Sequence, residues 1–281
     1  MTKFFAALAV FLAFATVITA VPTVLVSIGP YRLFVQKIAG DTVESILMVP
    51  AGASTHTYEP TPKQMIAAGR ADIWFTIGES FEARALKALQ AHNPNMQDID
   101  LRQGVSMITV APGSGACSCC HAHGQDPHIW LSARQDKIQV KTIADALAKR
   151  YPENAALYQK NLEVLLQELD TLDAELTAML KPVQQRTILV SHPAYAYFCR
   201  DYDFKQLSIE FEGKDPTPLQ LTRTLNEARA DHITKVFVQP QYSSKGARLF
   251  ANELNARVIV LDPYSEDFFA SMGQIAQAIA E

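Results

Sequence analysis

Cysteine is scarce in this sequence. There are four in 281 residues, three of them at positions 117, 119 and 120 and the fourth at 199. No disulfide framework is laid out along the chain, and a chain of this length buries its own core without one. Charge of one sign is scarce too. The formal net charge is −4, with no basic run and no acidic tail. That removes the electrostatic footprint of a nucleic-acid partner, and the weak negative field favours cations over anions. Past residue 20, no apolar run reaches the ~20 residues a membrane span needs. No HExxH pair and no serine-nucleophile motif is present, so the commonest zinc-hydrolase and acyl-transfer signatures are missing.

The first twenty residues, MTKFFAALAVFLAFATVITA, differ from the rest. Lys3 is followed by an apolar or small run from Phe4 to Val17, and the stretch ends in small residues at Ala20. This is the layout of a secretory signal peptide over residues 1–20. The other reading, an N-terminal membrane anchor, needs a longer run. No cysteine follows the run closely, so a lipid-anchored start is not expected. The expected place of work is outside the cytoplasm, most simply a periplasm.

What is present is an alternation. Strands are predicted at 23–28, 43–49, 72–77 and 106–110, with helices near 30–39, 62–69 and 79–91 between them. A second series repeats the pattern, with strands at 187–191, 205–209, 234–239 and 257–261 and helices near 193–202, 216–230, 243–254 and 265–280. Such alternation implies crossover connections and an α/β fold with mostly parallel sheets. Between the series lies a helical region, 132–182. After Pro152, leucines at 162, 165, 166, 169, 172, 176 and 180 recur at steps of three and four and make one apolar stripe. A helix of about 29 residues is a rod of roughly 43 Å, long enough to tie two lobes together. The expected organisation is a first lobe over 21–131, the helical region over 132–182 and a second lobe over 183–281.

Ligand sites in parallel sheets form beyond the carboxyl ends of strands. Four metal-capable side chains fall there: His56 in VPAGASTHTYEP, His128 in DPHIWLS, His192 in LVSHPAY and Asp262 in VIVLDP. Three imidazoles and a carboxylate would complete a tetrahedral zinc shell. Each alone also suits a solvated loop histidine or, for Asp262, a turn or helix cap. Denser but more ambiguous is CSCCHAH, with Cys117, Cys119, Cys120, His121 and His123. Cys199 on the helix after His192 reads as core, as do Tyr195, Tyr197 and Phe198 behind His192 and Trp130 behind His128.

Several blocks together resemble the metal-binding solute-binding proteins of bacterial zinc and manganese ABC importers, the ZnuA/TroA-like family. They are VSIGPYRLFVQKIAGDTVESILMVPAGASTHTYEPTPKQM, ADIWFTIGESFE, DPHIWLS, SHPAYAYFCRDYDF, EGKDPTP, VFVQPQYSSKGAR and VIVLDP. The resemblance runs through essentially all of the chain beyond the leader. It implies two α/β lobes joined by a rigid helix, with the metal in the cleft between them. It puts His56, His128 and His192 at three histidine positions and Asp262 at the carboxylate position. It implies delivery of the ion to an inner-membrane ABC permease with its ATPase, by a protein that is not an enzyme and is expected to be a monomer. Histidine at 192, where manganese-binding members often have a carboxylate, shifts the expectation to Zn2+ over Mn2+ or Fe2+. The CSCCHAH loop sits where zinc members often carry a His-rich loop. It is open to three readings: a solvated loop with a disulfide, a low-affinity accessory metal site that feeds the cleft, or a separate structural zinc site. Glu59, Glu210 and Glu212 are candidates for hydrogen bonding to the ligand histidines. Two rival functions stay open: a secreted zinc hydrolase, should Asp262 lie outside the shell, and a metal chaperone or adhesin on the same fold.

Overall fold

The computed structural model describes residues 21–110, 124–210, 217–242 and 245–281. The leader 1–20, the loop residues Cys117, Cys119, Cys120, His121 and His123, and Glu212 lie outside the described residues. Two parallel four-stranded sheets organise the rest. The first holds β1 (Thr23–Val26), β2 (Glu44–Leu47), β3 (Ile73–Thr76) and β4 (Gln97–Asp100), in the order β2-β1-β3-β4. The second holds β5 (Thr187–Val190), β6 (Lys205–Ser208), β7 (Lys235–Val238) and β8 (Arg257–Val260), in the order β6-β5-β7-β8. The two lobes therefore repeat one topology. Each reverses its winding between its first and third strands, β1 and β3 or β5 and β7, which opens a crevice at the carboxyl ends.

Central strands are apolar throughout because both their faces are covered. Val24, Leu25, Val26, Trp74 and Phe75 are fully buried in the first sheet, and Leu189, Val190 and Val236 in the second. The helices that cover them in the first lobe are α1 (Gly29–Ala39), α2 (Pro62–Ala68) and α3 (Ser80–Gln90). Between the lobes come α4 (Ala133–Arg150) and α5 (Ala155–Leu180), and in the second lobe α6 (Ala196–Tyr202), α7 (Pro218–Ala230), α8 (Lys245–Leu254) and α9 (Phe268–Ala280).

One predicted strand is misplaced. The segment 106–110 is not in the sheet, and β4 is QDID at 97–100. An edge strand with one wet face can be polar, and polar edges resist pairing with other chains. Asp98 and Asp100 hid it from a search for apolar runs. Residues 108–110 instead form a short stem. The Val110 N–H donates to the Gly124 carbonyl at 3.1 Å and the Asp126 N–H to the Ile108 carbonyl at 2.9 Å. That stem delivers the segment carrying Asp126 and His128.

The long helix α5 is 26 residues, about 39 Å at ~1.5 Å per residue. Pro152–Asn154 forms a 3-10 turn ahead of it, so the rod is slightly shorter than its sequence suggests. Leu162, Leu165, Leu169, Leu172, Leu176 and Leu180 are all buried, and Leu166 sits at the margin. The helix packs on α4, on α1 of the first lobe and on α9 of the second. One continuous apolar cluster contains these leucines together with Val24 and Phe75 from the first sheet and Val190 and Phe237 from the second. The lobes also touch at their loops. Trp130 Nε1 donates to the Pro263 carbonyl at 2.8 Å. At Gly29 a Cβ would lie 2.6 Å from the Tyr264 carbonyl oxygen, so only glycine lets these two backbone segments approach.

Leu169 is fully buried at the middle of this shared cluster. Leu169→Ala is expected to lower stability by about 2–5 kcal/mol, read from the urea unfolding midpoint, and a loss below ~1 kcal/mol would contradict a shared core.

Candidate metal centre

Each histidine of interest stands in a loop at the crevice. His56 lies between β2 and α2, His128 between the stem that pairs 108–110 with 124–126 and α4, and His192 just past β5. The fold brings all three together. His56 Nε2 and His192 Nε2 are 3.1 Å apart, and His192 Nε2 and His128 Nε2 are 3.3 Å apart. Among the described residues these three form the one His/Cys/Asp/Glu group whose donor atoms converge closely enough to share an ion. Nitrogens bound at ~2.0–2.1 Å to a tetrahedral zinc ion lie roughly 3.3–3.4 Å apart, so the spacing suits such an ion. His128 and His192 are fully buried and the His56 side chain is 11% exposed.

A carboxylate sits behind every ring. Glu79 Oε2 is 3.1 Å from His56 Nδ1, Asp126 Oδ1 is 2.7 Å from His128 Nδ1, and Glu210 Oε2 is 2.7 Å from His192 Nδ1. Each carboxylate accepts a hydrogen bond from Nδ1–H, which fixes the tautomer and leaves the Nε2 lone pair pointing inward. Three lone pairs facing one another at this distance repel. A cation between them, either a proton or a metal ion, relieves that repulsion.

The carboxylates are themselves held. Glu79 follows β3, where Gly78 takes a φ of +87° and the Arg102 guanidinium fills the space a Cβ would need. The N–H groups of Ile77, Gly78 and Glu79 converge on the Glu82 carboxylate at 3.0, 2.7 and 2.9 Å and lock this turn. Asp126 Oδ1 also accepts the His128 N–H at 2.9 Å, and the Tyr197 hydroxyl donates to the Asp126 carbonyl at 2.8 Å. Gln239, at the end of β7, accepts the His192 N–H at 3.1 Å and donates to the His192 carbonyl at 3.1 Å. Tyr242 stacks on the His192 ring, with centroids 4.0 Å apart and planes 12° apart. Trp130 packs 5.3 Å from the His128 ring.

The electrostatics suit one positive charge. Burial lowers the His56 pKa, but the adjacent Glu79 carboxylate outweighs it and holds the ring above the ordinary histidine value. Burial likewise raises Glu79, yet the His56 partner brings it below the usual carboxylate value. Burial and then the neighbouring His56 and His128 charges drive His192 well below the ordinary value. A charge on one ring thus suppresses charge on the next.

The other expected residues divide. Glu210 takes its place behind His192. Asp262 does not join the histidines. It follows β8 as expected, but its Oδ1 accepts from Gln241 Nε2 at 2.6 Å and from the Tyr264 N–H at 3.0 Å, and it is outside the converging group. Glu59 is also elsewhere. It pairs with Arg84 at 3.3 Å, both side chains 76% exposed, because the TYEP turn points it to solvent ahead of the Thr61 cap of α2. Cys199, Tyr195, Tyr197 and Phe198 are buried as expected. Sequence reasoning missed Glu79 and Asp126. Both had signals: Glu79 lies just past a strand end, and Asp126 stands two residues before His128.

A family model described as zinc-uptake complex component A, periplasmic, matches residues 24–281. The chain belongs to the ZnuA family. It is 35% identical over 259 residues to a putative metal-binding protein of Chlamydia muridarum, covering 92% of this chain and 90% of that protein. It is 31% identical over 208 residues to the manganese-binding lipoprotein MntA of Halalkalibacterium halodurans, covering 73% of this chain and 66% of that one. A crystal structure of a ZnuA deletion mutant with zinc bound superposes with a TM-score of 0.85 at 39% identity, covering 93% of this chain and 97% of that one. The ZnuA fold and the parallel two-lobe architecture are therefore shared.

Asp126→Ala removes the group that orients His128, and zinc affinity is expected to fall by about 10–100-fold. Competition against a chromophoric chelator measures this, and an unchanged affinity would show that the carboxylate does not orient a ligand.

Proposed function

We propose that this protein binds one zinc ion through Nε2 of His56, His128 and His192 outside the cytoplasm and delivers it to an ABC permease with its ATPase for import. The observation that carries the reading is the set of three inward Nε2 atoms, each backed by a carboxylate on Nδ1. Such a set is built for a cation of about zinc's size and for imidazole coordination. An all-nitrogen protein donor set favours zinc over manganese or iron(II). Similarity to a ZnuA protein crystallised with zinc supports the same choice, although one relative is named for manganese. The leader at 1–20 supports export, with cleavage after Ala20, and a monomeric carrier is the simplest form.

His56 and His128 come from the first half of the chain and His192 from the second, so an ion bridges the lobes. Release at the permease then requires a docked arrangement with lower affinity for the ion, since only a difference in affinity moves it. Because each ligand must be free of its Nε2 proton, zinc binding is expected to weaken as pH falls through the histidine range.

Asp262 lies outside the three-histidine group, which is the condition under which a zinc hydrolase was the rival. Two features argue against catalysis. The histidines are buried, which leaves little approach for a substrate, and Glu79, Asp126 and Glu210 are each engaged on an Nδ1 rather than aimed at the ion position as a general base. A hydrolase screen of the zinc-loaded protein separates the two readings.

Protein purified without added metal is expected to carry zinc at close to one ion per chain by elemental analysis. His192→Ala is expected to lose tight binding. The zinc reading fails if manganese binds as tightly in competition, and the ligand assignment fails if His192→Ala keeps parental affinity.

A further inference from the structure

The position of Asp262 is itself informative. Its carboxylate stands at the end of β8, beside the crevice, yet it is turned to Gln241 and to the Tyr264 N–H through one oxygen. The Tyr264 bond is a local turn of the kind aspartate makes two residues ahead. The Gln241 bond is different. It reaches from the loop after β7, at 2.6 Å, the shorter of the two. The Gln241 amide must present its NH2 to a carboxylate, which commits its Oε1 to the other side. There Oε1 is buried with no hydrogen-bond partner among the described residues. An unpaired buried carbonyl is destabilising, so holding Asp262 in this way carries a cost. The adjacent residue, Tyr242, is stacked on His192. One short loop therefore both covers a histidine of the site and restrains the nearby carboxylate.

We propose that Gln241 is a specificity-determining residue: by holding Asp262 through a hydrogen bond it keeps an oxygen ligand out of the three-histidine shell and so disfavours manganese. The chemistry follows from the donor set. Carboxylate oxygen suits manganese, and imidazole alone suits zinc. Adding a carboxylate raises affinity for both ions but raises it more for manganese. Gln241 acts through Asp262 and does not itself touch the ion. The inference rests on the three-histidine zinc reading.

The test uses the full mature chain and four variants, Gln241→Ala, Gln241→Leu, Asp262→Ala and Gln241→Ala/Asp262→Ala. Zn2+ and Mn2+ affinities are measured by chelator competition, and the Mn2+-loaded samples by electron paramagnetic resonance. Both Gln241 variants are expected to raise manganese affinity relative to zinc by about tenfold or more, a typical size for changes beside a metal ligand. The double variant is expected to return to the parental ratio, and Asp262→Ala alone to leave zinc affinity within about threefold of the parent. The manganese spectrum is expected to change in the Gln241 variants and to revert in the double variant. The proposal is overturned if folded Gln241→Ala and Gln241→Leu bind both ions with the parental ratio. It is also overturned if Asp262→Ala alone costs tenfold or more in zinc affinity, because Asp262 would then already be a ligand. A parent that binds neither ion overturns the underlying zinc reading, and this inference with it, which is a result distinct from either of the others.

Discussion

Three imidazole nitrogens held within 4.8 Å of one another form the constraint on which this structure turns. Left to themselves, buried rings with inward lone pairs would separate or rotate. They stay because each is anchored from behind by a carboxylate, and each carboxylate by its own turn. Glu79 depends on Gly78 and on the amides gathered by Glu82. Asp126 depends on the pairing of 108–110 with 124–126 and on Tyr197. His192 depends on Gln239 at the end of β7. The loops could not hold this arrangement alone. They are fixed at strand ends of two sheets that share one apolar cluster.

That dependence explains why the repeated topology matters. Both lobes wind in the same order, so both open their crevices at the carboxyl edge. Placing the edges face to face brings loops from distant parts of the sequence into one pocket. The three rings are separated by more than sixty residues each along the chain, and no short motif joins them. A cluster such as CSCCHAH looks more like a metal site on paper because its donors are adjacent, but adjacency in sequence says little about convergence in space.

The architecture was legible in the sequence where physical pressure is strong and one-sided. Buried central strands had to be apolar, so seven of the eight predicted strands fall on observed ones, and the leucine stripe marked α5. The edge strand β4 was not legible, because a half-wet strand has no need of apolar residues. The three histidines were found from their place after strand ends. Asp262 was found by the same rule, but which way a carboxylate turns depends on its neighbours, and Gln241 gives no sign of itself in the sequence. Glu59 failed for a related reason: a turn decides whether a side chain faces inward. Glu79 and Asp126 were readable in hindsight, because buried imidazoles need acceptors and both stand where an acceptor was required.

The leucine face of α5 has a consequence beyond joining two halves. Its side chains belong to a cluster that both sheets enter, so loosening that cluster is felt in both halves, while each lobe also keeps a smaller apolar cluster of its own. Trp130, Tyr195 and Tyr264 of the crevice loops belong to that same shared cluster, so the walls of the metal site melt with the joint between the lobes rather than ahead of it.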